Sequence, residues 1–361
     1  MEYNVIYGAG IYGELFCKEL ESNGIKIDYV IDQYINKTEI LNKKIKRLNE
    51  VSLNNVNIFI SITSPNAEIE VIKELKELNT KSILSFVETL FMYPHLIERC
   101  VKLTKTWYSN NIDDMIDDNK IKTLKELLSD NKSKKLLEKI IYFRKTLKPE
   151  YYPIPDLGPQ YFPSDIDLFS SVDKIRFVDG GAFIGDTLSS SINAFKKLNK
   201  VIDYIASFEP DVDNIKKLSE EVLKQRKKYH ETNFFIYPCG LWSKNEILSF
   251  NSNSNSNSSI INEVGNNVIQ IMAVSLDQTL IGSSPNYVKM DIEGAEKEAI
   301  LGMQEIIKND SPILAISLYH KPKDIWELPL LINKLNNKYD MYFRIYGSMG
   351  LELVLYCVPK K

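Results

Sequence analysis

At 361 residues the chain is long enough for two domains, each burying a core of its own. Lys plus Arg (45) nearly balance Asp plus Glu (48), leaving a net charge of −3 with the cations interspersed among acids, which excludes nucleic acid or an anionic membrane as the main partner. No stretch approaches the roughly 18 to 20 apolar residues of a membrane span, and the N-terminus runs into a strand without a secretory leader pattern, so the expectation is a cytoplasmic protein.

The first 93 residues read as an α/β unit. Asn4–Tyr7 is a strand, and Gly8-Ala-Gly10-Ile-Tyr-Gly13 is a G-x-G-x-x-G turn. Glu14 to Asn23 reads as a helix with Leu15, Phe16, Glu19 and Leu20 at helical spacing, stopped by Gly24. Ile27–Ile31 is a second strand ending at Asp32, where a ribose-binding acid would stand, and 57–62 and 82–87 are further strands around a helix at 68–78. Alternation of this kind implies a parallel Rossmann-like sheet. Gly8, Gly10, Gly13 and Asp32 are its candidate nucleotide-binding residues. Three readings stay open: nucleotide or nucleotide-sugar binding, a structural platform, and dinucleotide-dependent chemistry.

Residues 94 to about 150 read as helical throughout, with Leu124, Leu127, Leu128, Leu136, Leu137 and Ile140 forming an apolar stripe. They are expected to be a connector packed between domains, with a dimer interface as the alternative. Tyr151–Pro163 carries prolines among aromatics and reads as an ordered extended crossing, which closes a connector spanning 94–170.

A second α/β domain is expected over 171–361. Its strand 175–179 enters Asp179-Gly-Gly181-Ala182-Phe-Ile-Gly185, where glycines leave backbone open to a ligand at the carboxyl edge of the sheet. A helix at 187–198 follows, with Asp186 and Thr187 read as its cap. Strand 204–209 ends in Phe208-Glu209-Pro210-Asp211. Glu209 stands where a carboxylate binds ribose hydroxyls, and Pro210 is placed to start the next helix. Strand 234–237 leads to Cys239-Gly240-Leu241-Trp242. Ile247–Phe250 and Val268–Val274 look like an antiparallel pair flanking the Asn/Ser repeat 251–259, expected to be a mobile surface loop. Strand 286–291 ends in Lys289-Met-Asp291-Ile-Glu293-Gly-Ala-Glu296. Strand 313–318 leads to His320, and a hairpin formed by 341–346 and 351–358 closes the domain.

The order of glycine loop, strand-end acid and carboxylate cluster resembles the S-adenosylmethionine-dependent methyltransferases. In detail, VDGGAFIG, FEPD and KMDIEGAE resemble the hallmark segments of the FkbM family over roughly residues 171–358. The resemblance implies a class I methyltransferase sheet, mostly parallel with an antiparallel C-terminal hairpin. It also implies S-adenosylmethionine held by Asp179, Gly181, Ala182, Gly185 and Glu209, with backbone contacts from Gly240 and Leu241 at the adenine. Asp291 and Glu293 are candidates for accepting a hydroxyl proton or for holding a divalent cation such as magnesium, the rival reading being acids that favour a helix N-terminus. His320, emerging at the same edge, is a candidate general base with a near-neutral pKa. The family points to O-methylation of a sugar hydroxyl in a surface glycan precursor or glycosylated metabolite, with an acceptor that is a small molecule or a glycan and is open to being nucleotide-linked. The first domain likewise resembles the nucleotide-sugar-binding domain ahead of bacterial sugar acyltransferases. The rivals are a non-sugar secondary-metabolite acceptor, a non-enzymatic nucleotide sensor and an NAD-dependent oxidoreductase.

Cys17, Cys100, Cys239 and Cys357 show no C-x-x-C, and with three histidines they offer no zinc spacing. They read as reduced, buried thiols.

Overall fold

The computed structural model describes residues 3–251, 259–260 and 268–360. The chain forms two compact units, one made of 1–112, 138–157 and 345–352, the other of 113–137, 158–344 and 353–361. The architecture is α/β, with mostly parallel sheets flanked by helices.

In the first unit, β1 (Tyr3–Tyr7), β2 (Tyr29–Ile31), β3 (Glu39–Ile40), β4 (Lys43–Lys46), β5 (Val56–Ile60) and β6 (Ser82–Leu84) form one sheet in the order β3-β4-β2-β1-β5-β6. All pairs are parallel except β3 with β4. Val5, Ile31, Ile58 and Ile60 lie in one core cluster with Leu75 of helix α2 (Pro65–Lys76). Helix α1 (Ile11–Ser22) follows β1, and Phe16 and Leu20 on its inner face are fully buried. The fourth predicted strand ends early. Ser85 caps helix α3 (Phe86–Met92), accepting from Glu88 N–H while Glu88 accepts from the Ser85 N–H, which turns 85–87 out of the strand.

The region read as helical throughout is broken. Its helices are α4 (His95–Thr104), α5 (Ile112–Met115), α6 (Asp118–Leu127) and α7 (Asn131–Thr146). Lys105 ends α4 in a left-handed conformation, φ +53°, and Leu128 leaves α6 to bridge Met341. Side-chain capping by Asp117 restarts the chain as helix. Periodicity alone could not see these stops.

In the second unit, β7 (Lys174–Gly180), α8 (Asp186–Lys197), β8 (Val201–Phe208), α9 (Val212–Arg226), β9 (Asn233–Tyr237), β10 (Gly240–Leu241), β11 (Glu246–Asn251), β12 (Ser259–Ile260) and β13 (Val268–Val274) come first. They are followed by α10 (Leu276–Thr279), β14 (Tyr287–Met290), α11 (Glu296–Leu301), α12 (Gln304–Asn309), β15 (Ile313–Ser317), α13 (Asp324–Leu335), β16 (Tyr339–Ile345) and β17 (Leu353–Pro359). The main sheet runs β16-β17-β15-β14-β7-β8-β9, with β17 antiparallel to β15. Central strands β14 and β15 are buried along their whole length, as strands covered on both faces must be. A smaller sheet, β10-β13-β11-β12, contains the expected antiparallel pairing of 247–250 with 269–272. The Asn/Ser repeat falls largely outside the described residues. Phe162 of the proline-rich crossing and Phe169 just beyond it pack on the main sheet, their rings 5.9 and 5.1 Å from that of Tyr287. Two local expectations change. The N-cap of α8 is Gly185 at φ +86° with no side-chain cap, so Asp186 and Thr187 open the helix without capping it. Asp211 caps α9, accepting the Asp213 and Asn214 N–H groups, so Pro210 lies before the helix and does not start it.

All four cysteines are free and buried. Among the described residues no helix is long and apolar enough to cross a membrane.

Candidate active site

The parallel strands β8, β7 and β14 carry the predicted site to one edge of the main sheet. At the end of β7 the chain turns through Gly180 and Gly181. Gly181 has φ +74°, and a Cβ there would overlap the Asp291 carbonyl oxygen, so only glycine fits. The Gly181 and Ala182 N–H groups both donate to the Phe208 carbonyl, at 3.0 Å each, which pins the turn to β8.

Glu209 reaches back to this turn. Its Oε2 accepts the Phe183 N–H at 2.9 Å, while Oε1 accepts Asp211 N–H at 2.9 Å and Asn214 Nδ2 at 3.3 Å. Burial lifts its pKa by more than these donors lower it. Asp179, in contrast, faces inward. It has no exposed surface and pairs at 3.0 Å with Lys289, itself almost fully buried. Lys289 Nζ also donates to the Gly180 and Gly181 carbonyls at 3.1 and 2.8 Å. Burial works against the Lys289 ammonium, but Asp179 and then Asp291 outweigh it and keep the group charged. Asp179 therefore acts on the glycine turn through Lys289. Beyond β9, Gly240 and Leu241 pair in parallel with Ala273 and Val274, and Leu241 lies against Gly180.

After β14 the turn Asp291-Ile-Glu293-Gly294 holds two consecutive residues at positive φ, Glu293 at +53° and Gly294 at +90°. For a glutamate this is an uncommon conformation, of the kind that clusters at functional sites. Here the structure brings Asp291, Glu293 and His320 together. His320 Nε2 lies 3.3 Å from Asp291 Oδ1 and 3.6 Å from Glu293 Oε2, and Nδ1 lies 2.8 Å from Glu296 Oε1. Burial disfavours the imidazolium, but Glu296, Asp291 and Glu293 outweigh it and lift its pKa to about 10. The near-neutral histidine expected from sequence is thus replaced by a charged one, because a carboxylate cage surrounds it. Burial raises Asp291, but His320 and Lys289 overcome this and hold it below the ordinary aspartate value.

Two tyrosines complete the site, and sequence reasoning missed both. Tyr319 OH donates to Asp291 Oδ1 at 3.2 Å and Tyr161 OH to Oδ2 at 2.8 Å. Tyr161 sits at φ +71°, rare for a bulky residue, held by its N–H to Tyr356 OH and by Tyr287 OH to its carbonyl. Nothing in Pro159-Gln-Tyr-Phe-Pro163 signals a left-handed tyrosine 130 residues from its partner.

In the first unit, Asp32 is where sequence put it. Its Oδ2 accepts the Ala9 N–H at 2.8 Å and its Oδ1 the Tyr34 and Ile35 N–H groups. A Cβ on Gly13 would overlap the Gly8 carbonyl oxygen, whereas one on Gly10 would meet nothing within 4 Å.

The sequence profile of the methyltransferase FkbM domain matches residues 179–347. Residues 179–347 are an FkbM methyltransferase domain. The glycine turn, Glu209, Asp291 and His320 all lie inside it. No curated protein gives a significant match. Among solved structures, the fold is similar to a crystal structure of methyltransferase FkbM from Methylobacillus flagellatus KT. That similarity has a TM-score of 0.58 at 21% identity, over 98% of this chain and 89% of the other. The C-methyltransferase domain of a citrinin polyketide synthase aligns over 52% of this chain and 47% of its own, at 10% identity and a TM-score of 0.28, too distant to inform the fold. The matched residues run from the end of β7 through β16, and so take in the main sheet except β17 and most of β7.

Proposed function

We propose that the chain is an S-adenosylmethionine-dependent methyltransferase acting on oxygen, with a sugar hydroxyl of a glycan precursor or glycosylated metabolite as acceptor. The observation that carries this is the contact of the glycine turn with Asp291: Asp291 N–H donates to the Gly180 carbonyl, and Gly181 packs on the Asp291 carbonyl. A donor on the turn and an acceptor on the carboxylate would then lie side by side, which direct displacement requires.

The residues fit the donor. Gly181 is part-exposed on the turn while Ala182 and Gly185 are buried beneath it, so the donor would rest on the turn at Gly181, with Gly240 and Leu241 on the adenine side. Glu209 spends three of the roughly four acceptor positions of a carboxylate, leaving one for a ribose hydroxyl. The bound donor supplies an electrophilic methyl group. Asp291, kept ionised, accepts the acceptor hydroxyl's hydrogen bond and takes its proton as the oxygen loses charge. His320 and the two tyrosines hold that carboxylate in place, and Glu293 borders it. In the first unit, the open space at Gly10 and the α1 N-terminus, which has no side-chain cap, favour a phosphate or nucleotide beside Gly8, Gly13 and Asp32.

Calorimetry with S-adenosylhomocysteine tests the reading. The protein is expected to bind it, and Glu209→Ala to weaken binding by about 2–3 kcal/mol, as for a lost charged hydrogen-bond partner. Absent binding, or binding unchanged in the variant, would refute the donor site.

A further inference from the structure

We infer that Asp291, Glu293 and His320 form a binding site for a first-row divalent cation of the manganese or zinc type, with Glu296 orienting the imidazole from behind. Three observations carry it.

The first is spacing. Ligands about 2.0–2.2 Å from a common ion stand roughly 3.0–3.5 Å from one another in octahedral or tetrahedral arrangements. His320 Nε2 lies 3.3 Å from Asp291 Oδ1 and 3.6 Å from Glu293 Oε2, so the two carboxylate oxygens already converge on one ring nitrogen. Asp291, Glu296 and His320 offer ligand atoms all within 4.8 Å of one another.

The second is the polar inventory. Glu296 has no exposed surface, and its Oε2 receives no hydrogen bond among the described residues. His320 is over nine-tenths buried, and its Nε2 completes no hydrogen bond among the described residues despite the two carboxylates beside it. Without a metal, the His320 imidazolium balances these carboxylates; a divalent cation would displace the Nε2 proton to solvent and take over that balance, Lys289 being committed to Asp179 and the glycine turn.

The third is the arrangement behind the ring. Glu296 Oε1 stands 2.8 Å from Nδ1 and also accepts the Ile292 N–H at 2.9 Å, which fixes both carboxylate and imidazole. A carboxylate on the far nitrogen, leaving the near one for metal, is the usual outer shell of a histidine ligand. The imidazole is also what selects the ion. Magnesium favours oxygen and water, whereas mixed imidazole and carboxylate sets suit manganese or zinc. Magnesium, one candidate reading of Asp291 and Glu293 alone, gives way once His320 joins them.

A hydroxyl coordinated at this point becomes a stronger acid. That role rests on the methyltransferase reading; cation binding itself does not.

Metal-stripped protein titrated with MnCl2, followed by loss of the free Mn2+ electron paramagnetic resonance signal, is expected to show one saturable site per chain. Glu293→Gln should weaken it at least tenfold, Glu296→Gln on the order of 10–100-fold, and His320→Gln should abolish it. His95→Gln, a control in the first unit, should change nothing. Circular dichroism checks folding. If His320→Gln unfolds, Glu293→Gln decides, because that side chain is about one-third exposed. Absence of saturable Mn2+ binding in the intact protein, or equal binding in Glu293→Gln, overturns the inference. S-adenosylhomocysteine binding measured alongside separates the two claims: retained donor binding without Mn2+ binding removes the metal and leaves the methyltransferase.

Discussion

The two units turn a strand into a helix by the same devices and differ in the charge they use. In each, an acid at the end of the second strand reaches back to a turn N–H: Asp32 to Ala9 at 2.8 Å, Glu209 to Phe183 at 2.9 Å. Each has a neighbouring strand that supplies a donor to the carbonyls entering the turn. In the first unit it is the Ser61 hydroxyl, 3.1 and 3.0 Å from the Tyr7 and Gly8 oxygens. In the second it is the Lys289 ammonium on Gly180 and Gly181. A neutral donor leaves the first turn self-contained. A buried ammonium calls for Asp179 beneath it and stands close enough to act on Asp291. Topology makes the two turns alike, and the strand beside the turn decides which edge carries charge chemistry.

The largest expected effect separates glycines that touch backbone from one that does not. Gly181→Ala and Gly13→Ala would each drive a Cβ into a carbonyl oxygen, with Gly181 also at positive φ. Each should cost more than about 4 kcal/mol in denaturant unfolding or prevent folding. Gly10→Ala should stay within about 1 kcal/mol. Equal tolerance of all three would show that the turns are not held as described.

Replacing the donors sharpens the difference in charge. Lys289→Met leaves Asp179 buried without its cation and should destabilise by about 3–5 kcal/mol. Ser61→Ala removes a neutral hydrogen bond and should cost about 1 kcal/mol. Adding Asp179→Leu to Lys289→Met should restore stability, though not the position of the glycine turn.

The first unit has a buried carboxylate of its own, Glu68, which accepts the Phe86 N–H. Burial outweighs that bond, Glu88 adds to it, and the pKa rises from the usual 4.5 to about 7. A raised pKa in the folded state means stability is fully present below about 4.5 and lost as pH rises through 7. The loss is at most about 3 kcal/mol. Unfolding at pH 5 and pH 8 should show it, and Glu68→Gln should flatten it. An unchanged pH dependence in the variant would place the titration elsewhere.

Much of this was legible because it is written in local pattern. The strand–glycine–helix order, the acids at strand ends and the hairpin all follow from period and turn chemistry, and the main sheet bears them out. Asp291 with Glu293, and His320, were named from two separate segments, because these follow the neighbouring parallel strands β14 and β15 at one edge. Burial and long-range partners were not legible. Asp179 looks like a ligand group in sequence but faces Lys289. His320 looks like a neutral base, and its charge comes from Glu296, which reads as an ordinary helix-start acid. Tyr161 depends on two tyrosine hydroxyls more than 120 residues away. The helix breaks are a left-handed residue at Lys105 and a bridge from Leu128 to Met341, neither of which a hydrophobic stripe encodes.

The smallest expected effect tests whether the first turn takes a ligand at all. Gly10→Glu places a carboxylate where a Cβ meets nothing within 4 Å, at the start of α1. The space is open, so folding should be kept and unfolding should shift by less than about 1 kcal/mol. S-adenosylhomocysteine affinity should not change, because Glu209 and Gly181 belong to the other turn. An anion attracted to the α1 N-terminus would now meet a fixed negative charge. Binding of a uridine-diphosphate sugar, measured by calorimetry, should therefore be lost in this variant and kept in Gly10→Ala. If the parent protein binds no such ligand, the turn is a structural platform. If it binds NAD beside Gly8, Gly10 and Asp32 instead, the oxidoreductase reading of that unit gains its missing cofactor. Unequal ligands on turns this alike would trace to the strand beside each, Ser61 on one side and Lys289 on the other.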